Sequence, residues 1–229
     1  MILYGKQVVL YLLEKHKDLI EEIFLSKEID NKLFSKFAKL NKKIHKIDNQ
    51  KAQALAKGGN HQGLIVKIKE FEYAKLKDIK NMNFIVVLDG LTDVGNIGAI
   101  ARTAYSLGVQ GLIASNIKTI NNSGAIRTSA GALLDLPFCI HPRSIDLASE
   151  LIDAGFTLIG ATMDGVDLKK YGKIKSDDKV ALFLGNEGEG ISPKVAKKLD
   201  LKVSIKMQNE FNSLNVSSAA AILIYNLKG

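Results

Sequence analysis

The sequence predicts an α/β protein in two parts: a small basic α/β unit, then a larger α/β unit around a parallel sheet. Three observations predict it. Short apolar runs recur along the 229-residue chain, separated by segments of helical periodicity. Beyond residue 83 these runs are almost continuously apolar, as strands buried on both faces are. The charge is also unevenly divided. Residues 1–80 hold 17 Lys and no Arg against 10 Asp and Glu, a net of +7, whereas residues 81–229 carry only +1.

In the first part, Lys6 to Lys15 places Val8, Val9, Leu12 and Leu13 at helical spacing. Glu22 to Ser26 reads as a short strand. Asn31 to Leu40 puts Leu33, Phe34, Phe37 and Leu40 on one helical face, with Asp30 or Asn31 as cap. Ile44 to Asp48 is a candidate strand, and Asn49 to Lys57 a short helix ended by Gly58-Gly59. Gly63 to Phe71 alternates Leu64, Val66 and Ile68 in strand fashion. The expected unit is αβαβαβ over 1–71, followed by a polar linker over 72–82.

In the second part, 83–229, strands are expected at 84–88, 111–114, 137–140, 157–161, 180–184 and 203–205. Helices are expected at 97–107, 123–134, 144–154 and 192–199, with a last one from about Ser213 to Leu227. In parallel sheets of this kind ligands bind beyond the carboxyl ends of the strands. Three polar or Gly-rich clusters follow strands here: Asp89 to Asn96, Gly185 to Gly190, and Lys206 to Ser213. Three such loops at one edge imply one site.

The composition narrows the class. Hydrophobic residues make up 46%, enough for a sizeable core without disulfide staples. Cys139 is the one cysteine, and it reads as a small core residue rather than a nucleophile. No Cys/His cluster has zinc spacing, so no metal is expected. The N-terminus lacks a basic start followed by an apolar stretch, and no run approaches a membrane span. A soluble, cytoplasmic protein is expected. A basic unit joined to a neutral one suggests docking on a polyanion, although a solvated Lys-rich surface has the same composition. Only Arg102, Arg127 and Arg143 are arginine among 32 basic residues, so each raises the question of a need for guanidinium.

The loops hold the candidate chemistry. Gly185 to Gly190 spells G-x-x-G-x-G, neither a Rossmann fingerprint nor a P-loop. It is either a tight turn or a backbone approach to a ligand, with Glu187 to cap an N–H or hold a polar group. Asn96 is a candidate N-cap. Arg102, six residues on, either snorkels or meets an anion. Ser213, Asn215, Ser217 and Ser218 crowd the start of the last helix, where Asn212 or Ser213 is the expected cap. His16 and His45 read as surface residues, and His141 as a cap after a strand. His61 lies in a polar loop with no acid/base partner nearby in sequence. Arg127 is open between phosphate contact and a surface salt bridge.

Taken together, the three loops resemble the motifs of the SpoU/TrmH family of RNA ribose 2′-O-methyltransferases, of the SPOUT superfamily. The stretches are LDGLTDVGNIGAIARTAYSLGV (88–109), ALFLGNEGEGIS (181–192) and IKMQNEFNSLNVSSAAAILIY (205–225). YGKQVVLYLLE and NHQGLIV (60–66) resemble the substrate-binding domain attached to many members. Val94 and Lys206 stand where the family usually has Pro, and Asn209 where it has Gly, a position at which Asn can take a left-handed backbone.

The resemblance implies a C-terminal parallel-sheet α/β domain with a trefoil knot, preceded by a small α/β RNA-binding domain. It implies a homodimer and S-adenosylmethionine as methyl donor. By motif, Arg102, Asn96, Glu187, Ser213 and Asn215 form the catalytic set, and Gly185, Ile205 and Leu214 the cofactor site. Asn96 is expected to orient Arg102. The resemblance is greatest to enzymes methylating guanosine in large-subunit (23S) ribosomal RNA. Transfer RNA is the alternative substrate, and a non-catalytic RNA-binding or ribosome assembly factor the alternative of another class.

Overall fold

The computed structural model describes residues 1–175, 177–209 and 213–228. The first unit begins with a strand the sequence hides, β1 (Ile2–Tyr4), which leads into helix α1 (Lys6–Lys15). Then follow β2 (Ile20–Leu25), α2 (Asn31–Ala38), β3 (Lys43–Lys46), α3 (Asn49–Leu55) and β4 (Leu64–Ile68). The strands order β1-β4-β2-β3. At three residues, β1 is too short for alternation to mark it; its pairing with β4, Leu3 opposite Val66, makes it a strand. The predicted face of α1 holds, with Val8, Val9, Leu12 and Leu13 buried; in α2 Leu33 and Phe37 are buried, but Phe34, expected on the same face, is 40% exposed. Asp30 and Asp48 cap α2 and α3 by accepting from Leu33 N (2.8 Å) and Lys51 N (2.7 Å).

The polar stretch after β4 contains a helical turn, α4 (Leu76–Ile79), with Ile79 fully buried. The second sheet then runs through β5 (Phe84–Asp89), α5 (Val94–Ser106), β6 (Gly111–Ser115), α6 (Asn122–Thr128), β7 (Phe138–His141) and α7 (Ser144–Asp153). It continues with β8 (Thr157–Asp167), α8 (Leu168–Tyr171), β9 (Val180–Gly185), α9 (Pro193–Ala196), β10 (Leu201–Ser204) and α10 (Val216–Lys228). Its six strands are all parallel, in the order β10-β8-β9-β5-β6-β7. All six residues of central β5 are buried, as its apolar run requires.

Three predicted elements change. The helix expected over 123–134 breaks after Thr128, where Ala130 (φ 55°) and Gly131 (φ 99°) turn left-handed before a 3₁₀ turn at Ala132–Leu134. The turn brings Gly131 against Tyr11: a Cβ there would lie 2.5 Å from the ring, which reserves the position for glycine. The helix expected over 192–199 shrinks to α9. Strand β8 runs on to Asp167, and its extension pairs with β10 across an irregularity between Lys202 and Val203.

The two units share one apolar core, in which Leu3, Val9 and Leu12 join Ile97, Ala101 and Leu133. Polar contacts seal the seam. The Tyr11 hydroxyl donates to the Asp135 carboxylate, and His16 Nε2 lies 3.1 Å from Asp135 Oδ1. Burial first, then Asp135, holds the Tyr11 hydroxyl well above the usual phenol range. The Arg127 guanidinium stacks 4.4 Å over the Tyr4 ring. His16 is thus a seam residue rather than a surface one. Cys139 lies in the core on the other face of the sheet, where burial pushes its thiol up to about 11. Among the described residues, no helix is long and apolar enough to cross a membrane and no acidic, His or Cys cluster could hold a metal.

Candidate active site

The site forms where the ends of β5 and β9 meet the start of α10. Asp93 caps α5, its carboxylate accepting from Asn96 N at 2.7 Å. Asn96 is therefore not the cap its residue type suggested. It sits in the first turn with its amide free, and that amide joins a network.

Asn96 Nδ2 donates to Glu187 Oε1 at 3.2 Å. Asn215 Nδ2 lies 3.0 Å from Asn96 Oδ1 and 3.0 Å from the same Glu187 oxygen. Three residues from three loops, up to 119 positions apart in sequence, thus close one hydrogen-bonded triangle. The orientation of Asn215 is fixed from behind, because its Oδ1 accepts from both Ser217 N (2.9 Å) and Ser217 Oγ (2.6 Å). The Asn215 carbonyl also accepts from Ala219 N at 3.0 Å, so Asn215 caps α10. That accounts for the crowding of short polar residues there. The predicted cap Asn212 lies outside the described residues, and Ser213 is exposed with no cap bond among the described residues.

Arg102 is exposed on α5 and makes no hydrogen bond or ion pair with the described residues. The expected contact with Asn96 is absent for a geometric reason. Six residues along a helix amount to about 9 Å of rise and roughly 120° of rotation away. Among the cofactor candidates, Gly185 ends β9 half-buried, and Leu214 is 38% exposed beside Asn215. Ile205, just past β10, lines a cleft of about 100 Å³ with Asp167, Lys206, Gln208, Ile222 and Asn226.

The loop after β9 is closed on itself. Asn186 pairs with Gly190, and Asn186 Oδ1 accepts from Gly188 N (3.0 Å) and Glu189 N (2.7 Å). Gly185 is obligatory here: a Cβ would lie 2.0 Å from the Gly190 carbonyl carbon. Sequence reasoning missed Asp89, which is 2% exposed at the end of β5 and binds the far side of this loop. The available signal was a carboxylate ending an otherwise apolar strand. It also left His61 without a partner. His61 is in fact buried, its Nδ1 accepting from Gly63 N at 3.1 Å.

Comparison with known proteins agrees with this geometry. Residues 83–225 match the model of the SpoU rRNA Methylase family, and residues 2–74 match that for RNA 2′-O ribose methyltransferase substrate binding. The chain belongs to the SpoU methylase family and is an RNA methyltransferase of that type. An uncharacterized tRNA/rRNA methyltransferase of Archaeoglobus fulgidus is 33% identical over 163 residues, 71% of this chain and 71% of that protein. Among solved structures, the AdoMet-bound rRNA methyltransferase from Sinorhizobium meliloti superposes with a TM-score of 0.78 at 23% identity, covering 98% of this chain and 85% of that one. The SpoU methyltransferase AviRb from Streptomyces viridochromogenes, in complex with AdoMet, gives 0.77 at 23% identity, covering 98% and 88%. At that identity the likeness establishes the fold.

Proposed function

We propose that this protein transfers a methyl group from S-adenosylmethionine to the ribose 2′-oxygen of guanosine in large-subunit (23S) ribosomal RNA. The observation that carries the reading is the triangle of Asn96, Glu187 and Asn215, built from the three loops that the family motifs single out. The donor set suits a cationic cofactor. Glu187 brings a carboxylate into a cluster otherwise of neutral amides, next to the exposed Leu214. Gly185, Ile205 and Leu214 would hold the donor, largely by backbone. S-adenosylmethionine supplies an already activated methyl group, so positioning does much of the remaining work.

As the methyl group passes to the 2′-oxygen and its bond to sulfur breaks, the 2′-hydroxyl would lose its proton to solvent water. An arginine is effectively always protonated, which argues against Arg102 as the base. Its exposed guanidinium, unpaired among the described residues, is suited to stabilise the developing alkoxide and a neighbouring phosphate. Asn96, Ser213 and Asn215 hold the ribose against Glu187.

The assignment includes domains at 1–71 for RNA binding, a linker at 72–82 and a methyltransferase domain at 83–229. It also includes a trefoil knot, a cytoplasmic location and a homodimer. The path of α10 favours the knot, since the chain leaves edge strand β10 and returns to pack on α5 and β9. Exposed Ile222 and Tyr225, three residues apart on α10, favour a covered face.

Labelled methyl transfer to separated RNA pools tests the substrate. Label in guanosine ribose of large-subunit RNA is expected; label confined to transfer RNA would move the assignment there. A pH–rate profile of Arg102→Lys tests the mechanism. A loss of at least about tenfold is expected, since lysine lacks the planar fork. Near-normal rates would remove the proposed role of the guanidinium.

A further inference from the structure

Asp89 takes no part in the triangle, yet its two carboxylate oxygens reach two separate elements. Oδ1 accepts the Ser144 hydroxyl at the start of α7, and that hydroxyl lies 3.0 Å from Ser115 Oγ. Oδ2 accepts Ser192 N at 2.9 Å. Ser192 is the residue at which the Glu187 loop ends and α9 begins. Asp89 itself is the last residue of β5, four positions before the Asp93 cap that starts α5 and sets Asn96. The structure assigns to Asp89 the role of a positioning residue. Its Oδ2–Ser192 bond clamps the base of the Glu187 loop to the end of β5, the strand that leads into the helix carrying Asn96, and so holds the donor-binding loop in register with the site.

The physical case rests on burial and reach. A carboxylate 2% exposed at a strand end is costly unless each oxygen is bonded. Here one bond is spent on the sheet's own flank and the other on the loop. The backbone crowding at Gly185, with Gly190 and Ile191 within 2.2 Å of a virtual Cβ, means the two limbs of the loop are already in contact. What remains free is the tilt of that closed loop against β5, and the Ser192 bond fixes it across 103 residues of sequence.

The inference rests on the proposed placement of S-adenosylmethionine at this loop, and the experiment separates the two. Three variants are compared with the wild type for S-adenosylmethionine affinity by titration calorimetry, RNA affinity, kcat and Tm. Asp89→Asn retains one acceptor for two donors. Ser192→Pro replaces the N–H with a ring carbon and removes the hydroxyl, at a residue whose φ of −55° proline accepts, and keeps the carboxylate in case Asp89→Asn folds poorly. Ser144→Ala removes only the flank donor. The expected result is donor affinity reduced about tenfold in Asp89→Asn and Ser192→Pro, the effect of losing a hydrogen bond to a charged group. RNA affinity should stay unchanged in both, and Ser144→Ala should keep normal donor affinity with a lower Tm. Equal donor affinity in all variants, or an equal loss in Ser144→Ala, overturns the clamp and leaves Asp89 a structural strut. Failure of the wild type itself to bind S-adenosylmethionine would instead sink the functional assignment beneath it.

Discussion

Glu187 Oε1 accepts from two amides at once, Asn96 at 3.2 Å and Asn215 at 3.0 Å. Glu187→Gln would turn an amide against amides and replace part of this acceptor with a donor. The expected outcome is kcat lower by roughly tenfold to a hundredfold, with Tm nearly unchanged because the site is exposed. Single-turnover kinetics beside a melting curve check it; a normal kcat would remove Glu187 from the machinery. The motifs made Asn96, Glu187 and Asn215 legible as site members. They could not show that Ser217 sets the Asn215 amide, or that Arg102 stands apart from Asn96. Both depend on which way a side chain points once a helix is capped, and Asp93 rather than Asn96 supplies that cap.

At the scale of elements, the period of apolar residues located every long strand and helix, because burial on a sheet or helix face imposes that period. It missed β1, α4 and α8, which are too short to show one. It also merged α6 with the following 3₁₀ turn, because the left-handed break falls on Ala130 as well as Gly131, and an alanine carries no signal of a turn. The loop from β9 offers a test at this scale. Gly185→Ala forces a methyl into the backbone of Gly190 and Ile191, a clash side-chain motion cannot relieve. A stability loss of about 1–3 kcal/mol and weakened donor binding are expected, read by chemical denaturation and calorimetry. Unchanged donor affinity would show that the loop can shift without consequence.

At the scale of the molecule, the shared core changes how the two units can be separated. Removing residues 1–71 would take away part of that shared core, so point changes at the seam are the cleaner probe. Tyr11→Phe keeps the ring against Gly131 and deletes only the hydroxyl bonded to Asp135. A loss of about 1–2 kcal/mol is expected, together with a raised KM for RNA and an unchanged one for the methyl donor. Equal changes in both KM values would mean the seam serves the catalytic unit alone. The sequence by itself determined the α/β class, the asymmetry of charge and, through the resemblance of its motifs, the candidate site residues, because apolar periodicity and motif residues are written locally. Only the tertiary structure decided that Asn96, Glu187 and Asn215 share one network, that Asp89 reaches Ser192, and that the basic unit is packed onto the catalytic one. Those are contacts between segments tens to more than a hundred residues apart, and no local pattern encodes which distant partner a polar group will meet.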